Sequence, residues 1–354
     1  MVYKGLLLWM GCSFLLCNLQ NGKLSFNHNQ KLYMLLFALG CMTVMGFRSD
    51  AVGYDTVTYE YYYSIVASTP ISNILSGFYF QSMEIGFVFL MKICSYISSD
   101  YFFFQFIVSF LYCAGMARFL YRNAKNSIWS SFIFLGVGLF LTAFNGQRQM
   151  LAVMLVSNSW SYFLDKKYVK TFLLLFFAVI THITSLLFIG AYLIYLFRRH
   201  RIIYFVFIAG ILLSTFYYDT LISFIMEYAP MYNNYFNNTR DTLTAGFVKI
   251  LWGIIVLLSV LILLKSDKAT VILRSYAIFS LFYVAANIIG MQFNYFERLG
   301  WFFLPFVVLA FDGFGSLLKN KILKNVYYIG SLLCFIAYFI LSTGSEQYIY
   351  HMWL

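Results

Sequence analysis

Charge is the scarcest ingredient of this chain. Only 10% of its 354 residues are Asp, Glu, Lys or Arg, against about a quarter in a soluble globular domain. So few ions cannot keep a chain of this size in water, which excludes a soluble enzyme and makes lipid part of the solvent. Proline is nearly absent, at three residues. Gly-rich phosphate loops, low-complexity stretches and internal repeats are missing, and the chain reads as one domain. Acidic residues number 13 against 24 basic ones, but the basic ones sit in short clusters between apolar runs. That pattern orients a membrane protein and does not call for nucleic acid. The six cysteines, Cys12, Cys17, Cys41, Cys94, Cys113 and Cys334, lie in or beside apolar runs without metal-ligand spacing and read as small buried hydrophobes.

What is abundant is apolar length. Hydrophobic residues make up 62% of the chain and aromatics 22%. The apolar runs are continuous over about 17–20 residues and lack in/out alternation, so helices rather than barrel strands must satisfy the backbone in hydrocarbon. The expected fold is all-α, a polytopic transmembrane helical bundle of about 10–12 membrane helices, some short or re-entrant, in one integral membrane domain spanning 1–354. The first run, Leu6 to Cys17, lacks a small-residue cleavage site and is expected to stay as a helix.

Basic breaks at Lys23 to Lys31, Arg118 to Lys125, Lys166 to Lys170, Arg198 to Arg201, Lys265 to Arg274 and Lys319 to Lys324 are placed on the cytoplasmic side. The segments between them then carry outer loops at 48–84 and 219–246. In the first loop, Asp55 is positioned to cap a short helix at the membrane surface. Between Glu84 and Arg118 this orientation demands an odd number of crossings, which predicts that Ile85 to Ile97 is re-entrant or lies flat. Trp129 to Leu164 reads as a hairpin broken at Asn145-Gly146. Tyr168 to Phe197 reads as a second hairpin whose legs of roughly 14 residues span about 21 Å, less than the hydrocarbon core of about 30 Å. His182 at its tip should therefore lie below the outer lipid surface.

Ionisable groups at membrane depth are costly and point to function. The topology brings Arg48, Asp55, Glu84, Arg148, His182, Glu297 and Arg298 to the outer face, with Arg240 in the second outer loop. Arg148 and Arg298 are both expected at the start of a helix, where free N–H groups and the dipole favour anions. Guanidinium groups match phosphate oxygens in pairs, so Arg148, Arg298 and Arg48 are the diphosphate candidates. They could equally snorkel to headgroups or pair with Glu297, Asp55 or Glu84. His182, Asp55 and Glu84 are the candidate bases, and for His182 the alternative is a packing histidine among Thr181, Thr184 and Ser185. Tyr59, with Glu297 and Arg240, is a candidate sugar contact. No second ligand stands beside His182, so neither metal nor cofactor is expected.

One series of short motifs has a likeness. Arg48, Gly53, Asp55 and Tyr59, then Glu84-Ile-Gly-Phe, then Gln147-Arg148-Gln149-Met-Leu-Ala, then Thr181-His182-Ile-Thr-Ser, then Asn294-Tyr-Phe-Glu-Arg298 resembles the EpsG family over about positions 1–310. That family is associated with exopolysaccharide synthesis and includes O-antigen polymerases of the Wzy type. The resemblance implies a GT-C-like membrane glycosyltransferase in the bacterial inner membrane with its site toward the periplasm. It implies a donor and an acceptor linked to undecaprenyl diphosphate, a metal-independent inverting transfer, and flippase and chain-length regulator proteins as partners. A transporter or flippase of lipid-linked sugars, and a glycan ligase, remain open alternatives. Transporters favour inverted repeats and midplane charges, and neither is seen.

Overall fold

The computed structural model describes residues 1–20, 23–24, 29–76, 83–196, 220, 245–264, 271–290 and 294–352. Its regular structure among these residues is helical, apart from a two-residue antiparallel ladder, Leu19 to Leu24 and Gln20 to Lys23, and an isolated bridge between Arg48 and Met352. The chain forms two compact units, Met1–Ser185 with Leu318–Leu354, and Leu186–Leu317.

The first unit contains α1 (Val2–Asn18), α2 (Gln30–Gly46), α3 (Thr56–Ser68), α4 (Ile71–Leu75), α5 (Ile85–Ser95), α6 (Tyr101–Asn123), α7 (Ser127–Gly136), α8 (Leu139–Asn145), α9 (Gln147–Leu164) and α10 (Tyr168–Thr181). A 3₁₀ turn, Ile183–Leu186, leads out of it. The second unit contains α11 (Leu187–Leu196), α12 (Ala245–Leu264), α13 (Val271–Gly290), α14 (Asn294–Gly300) and α15 (Leu304–Leu317), and the chain then rejoins the first unit as α16 (Lys321–Ser342). The protein is a multi-pass helical membrane protein. Among the described residues α6, α13 and α16 are long and apolar enough to cross a bilayer alone, and α7 with α8 would do so as a pair bent by 48°. Several of the expected spans are shorter apolar helices of 10–17 residues, because polar breaks close them early.

Local chemistry sets the helix boundaries. Asp100 accepts from the Phe102 amide at 2.9 Å to start α6, Asn126 from the Trp129 amide at 3.1 Å to start α7, and Asn320 from the Ile322 amide at 2.8 Å to start α16. The bend between α7 and α8 falls at Gly138, whose φ of +87° only glycine adopts without strain. Buried Lys92 on α5 donates to the Val66 and Ala67 carbonyls at 3.2 and 3.0 Å, capping the C-terminal end of α3 with a cation.

Helix directions in this unit follow from side-chain contacts. Gln147 at the start of α9 donates to the Tyr101 hydroxyl at the start of α6, at 3.0 Å, while Arg118 near the end of α6 reaches Asn158 and Tyr162 late in α9. α6 and α9 therefore run in the same direction. α10 returns along α9, since the Tyr168 ring meets Phe163 at one end and Glu84 joins His182 to Arg148 at the other. α5 starts at Glu84, beside Arg148, and α6 starts beside Gln147, so both helices begin at the same end of the unit. An 11-residue helix spans about 16 Å, so α5 is too short to cross a bilayer alone. The expected odd count between Glu84 and Arg118 is met by α6 alone.

The C-terminal segment lies at that same end. The Gly53 amide donates to the Gln347 carbonyl at 2.9 Å, the Ser49 amide to the His351 carbonyl at 2.8 Å, and the Asn145 side chain to the Gln347 side chain at 2.8 Å. Residues 346–352 thus clasp the loop before α3 to the α8–α9 corner.

Candidate active site

Glu84 is the centre of the group of charges. It occupies the N-cap position of α5. One carboxylate oxygen, Oε2, meets Nη1 of Arg148 at 2.6 Å; the other, Oε1, lies 2.7 Å from Nδ1 of His182 and accepts from the Ile183 amide at 3.3 Å. The His182 contact is close, but the ring N–H is not aligned along it. Side-chain exposure is 18% for Glu84, 19% for His182 and 23% for Arg148. All three are largely covered yet reachable.

Backbone geometry makes this meeting possible. Gly86 crosses α10 so closely that a Cβ there would stand 2.7 Å from the Ile180 carbonyl oxygen. Any side chain would push α5 away and take Glu84 with it. His182 ends α10 in an extended conformation, φ −158° and ψ 113°, which turns the chain into the 3₁₀ segment and presents the Ile183 amide to Glu84. Arg148 is the second residue of α9, the helix-start position expected of it, because Gly146 alone separates α8 from α9. Tyr59, buried on α3 against Phe87, stands beside Arg148. The arginine thus has Glu84 and Tyr59 for neighbours.

Burial alone would raise the Glu84 carboxyl. The contact and charge of His182 and the charge of Arg148 outweigh it and hold the group down at about 2. Glu84 is therefore an anion across the physiological range.

The other expected site residues have different settings. Asp55 takes the N-cap position of α3 without a side-chain cap bond, and its charge acts on Tyr59 one turn later. Arg48 is wholly enclosed, donating to the carbonyls of Met45, Val52 and Phe144 and stacking at 4.8 Å on the Phe144 ring. Glu297 and Arg298 belong to the second unit. Arg298 does not begin a helix as expected: residues 294–300 form their own short helix, and Arg298 stands in its last turn, where the negative end of the dipole suits a cation, with its guanidinium 5.8 Å from the Trp301 ring. Arg240, most of the loop 219–246, and the break at Arg198 to Arg201 lie outside the described residues. For His182, the expected partners Thr181, Thr184 and Ser185 give way to Glu84. The buried hydroxyls of Thr184 and Ser185 find no hydrogen-bond partner among the described residues.

Three contributors escaped the sequence reading. Gly86 was visible only as a motif letter, the Gln147–Tyr101 bond needed the parallel run of α6 and α9, and the docking of residues 346–352 had no local signal. Among the described residues no group of three or more His, Cys, Asp or Glu could hold a metal ion.

A family model described as the EpsG family matches residues 31–352. Comparison with curated proteins returns no match, and comparison with solved structures returns none.

Proposed function

The chain belongs to the EpsG family, the Wzy-like polymerase family, and on that premise we propose that it joins lipid-linked oligosaccharide repeat units into a polysaccharide. The donor is a growing glycan carried on undecaprenyl diphosphate and the acceptor is a second lipid-linked repeat unit, met on the outer side of the bacterial inner membrane. The observation that carries this reading is a carboxylate held between an arginine and a histidine at one end of the first unit.

In the reaction, an acceptor hydroxyl gives its proton to His182 while its oxygen attacks the anomeric carbon of the donor. The bond from that carbon to the diphosphate breaks, and the lipid diphosphate leaves with the electron pair. A single displacement of this kind inverts the anomeric centre. Glu84 faces Nδ1 of His182, which fixes the ring and leaves Nε2 to take the proton, the division of labour of any carboxylate–imidazole pair. Glu84 is itself a poor base, being held at about 2 with both oxygens engaged. Arg148, steadied by Tyr59 at the start of α9, faces the leaving diphosphate, where a planar donor and the helix N-terminus act together.

Purified protein incubated with one lipid-linked repeat unit should produce a ladder of oligomers. His182→Gln, close in shape to the imidazole and unable to accept the proton, should lower ladder formation by about 10²-fold or more at unchanged protein level. A transporter or flippase would yield no ladder. Wild-type ladder formation by His182→Gln would remove the histidine from the chemistry.

A further inference from the structure

At the end of the first unit opposite Glu84, cations gather around a single tyrosine. The guanidinium of Arg118 lies 4.8 Å, that of Arg122 5.2 Å, and the ammonium of Lys170 5.5 Å from the centre of the Tyr162 ring. Arg118 also donates to the Tyr162 hydroxyl and to Asn158 Oδ1, both at 2.5 Å, which fixes one face of the cluster. The carboxylate among them is Asp165, which pairs with Arg122 and stands 3.6 Å from Lys167. Three cations converging on one ring with so little acidic compensation repel one another, and an anion between them relieves that repulsion.

From this convergence we propose that Arg122 and Lys170, arranged around Tyr162, bind the phosphate headgroup of an anionic phospholipid. Two features select a lipid. Asp165 and Arg148 stand 17 residues apart at the two ends of α9, a rise of about 25 Å, close to the hydrocarbon thickness of about 30 Å. The cluster thus lies at headgroup level of the leaflet opposite the candidate active site. Lys170 also begins a stripe of α10 that continues through Leu173 and Phe177 at helical spacing, both about half exposed. An acyl chain can lie along that stripe while its phosphate reaches the cations, and clusters of this sign attract anionic lipids.

The test is native mass spectrometry of the full chain in detergent, titrated with phosphatidylglycerol or with phosphatidylcholine. Phosphatidylglycerol should be retained in preference, and Arg122→Gln with Lys170→Gln should reduce its retention about tenfold. Asp165→Asn removes the competing carboxylate and should raise retention severalfold, a change of opposite sign that a merely destabilised protein would not give. Equal retention of the two lipids overturns the proposal. So does an unchanged double variant, or displacement of phosphatidylglycerol by millimolar inorganic phosphate, which would make the site one for a soluble anion.

Discussion

Arg48 and Arg148 stand at the same end of the first unit, and one would exchange them on composition alone. The loop around Arg48 has closed over it: three backbone carbonyls take its donors, the Phe144 ring covers it, and residues 346–352 seal the loop from outside. The corner around Arg148 leaves it partly open, facing a carboxylate and a tyrosine, both side-chain groups instead of backbone. Carbonyls bound to an arginine are fixed parts of the fold, whereas a carboxylate partner can be exchanged for another anion such as a diphosphate. The same residue type therefore serves structure in one place and chemistry in the other, according to whether its partners can be replaced.

The largest expected effect is also the sharpest test of that contrast. Arg148→Ala should abolish or reduce ladder formation by about 10²–10³-fold while leaving the amount of folded protein near normal, and Arg148→Lys should also be poor because a point charge replaces a planar fork. Arg48→Ala should do the reverse, costing about 3 kcal/mol or more of stability, since it leaves buried carbonyls unpaired and a cavity behind. Thermal unfolding and an in vitro ladder assay, run on both, measure the two axes. A stable but inactive Arg48→Ala would break the comparison.

Glu84→Gln comes next. It keeps the shape, removes the charge that holds Arg148 and His182, and should lower the rate by about 10²-fold. Its stability effect has a definite pH dependence. The folded carboxyl is depressed from 4.5 to about 2, so its contribution is fully present above pH 4.5 and is lost as pH falls from there toward 2. Wild type and Glu84→Gln should differ in melting temperature at pH 7 and converge along that interval. A difference that grows on acidification would contradict the pairing.

The smallest effect is expected at the clasp. Gln347→Ala removes one side-chain bond to Asn145 and should cost about 1 kcal/mol, read as a modest fall in melting temperature with ladder length preserved. A large loss of activity without a loss of stability would move the C-terminal segment from the support of Arg48 to the site itself.

Much of this was legible beforehand. Paucity of charge and apolar length required membrane helices, Asn145-Gly146 marked the corner before α9, and the odd crossing count exposed α5 as a helix that does not traverse. The meeting of Glu84, Arg148 and His182 was expected from topology, with Glu84 one of three possible partners for Arg148; that His182 would face Glu84 and that Tyr59 would stand beside Arg148 was not. Arg298 was misread because FNYFERLG looked like a loop tip followed by a helix. Its own hydrogen bonds close a separate short helix first and move the arginine to the opposite pole of a dipole.

Sequence by itself determined the solvent, the helical class and the residues that hydrocarbon cannot hold without a reason, because transfer free energies and helix periodicity are local properties summed along the chain. Tertiary structure alone decided which arginine is spent on carbonyls and which faces Glu84. Pairing at 2.6 Å depends on how helices cross, and that crossing rests on close contacts such as Gly86 against Ile180, between residues far apart in the chain.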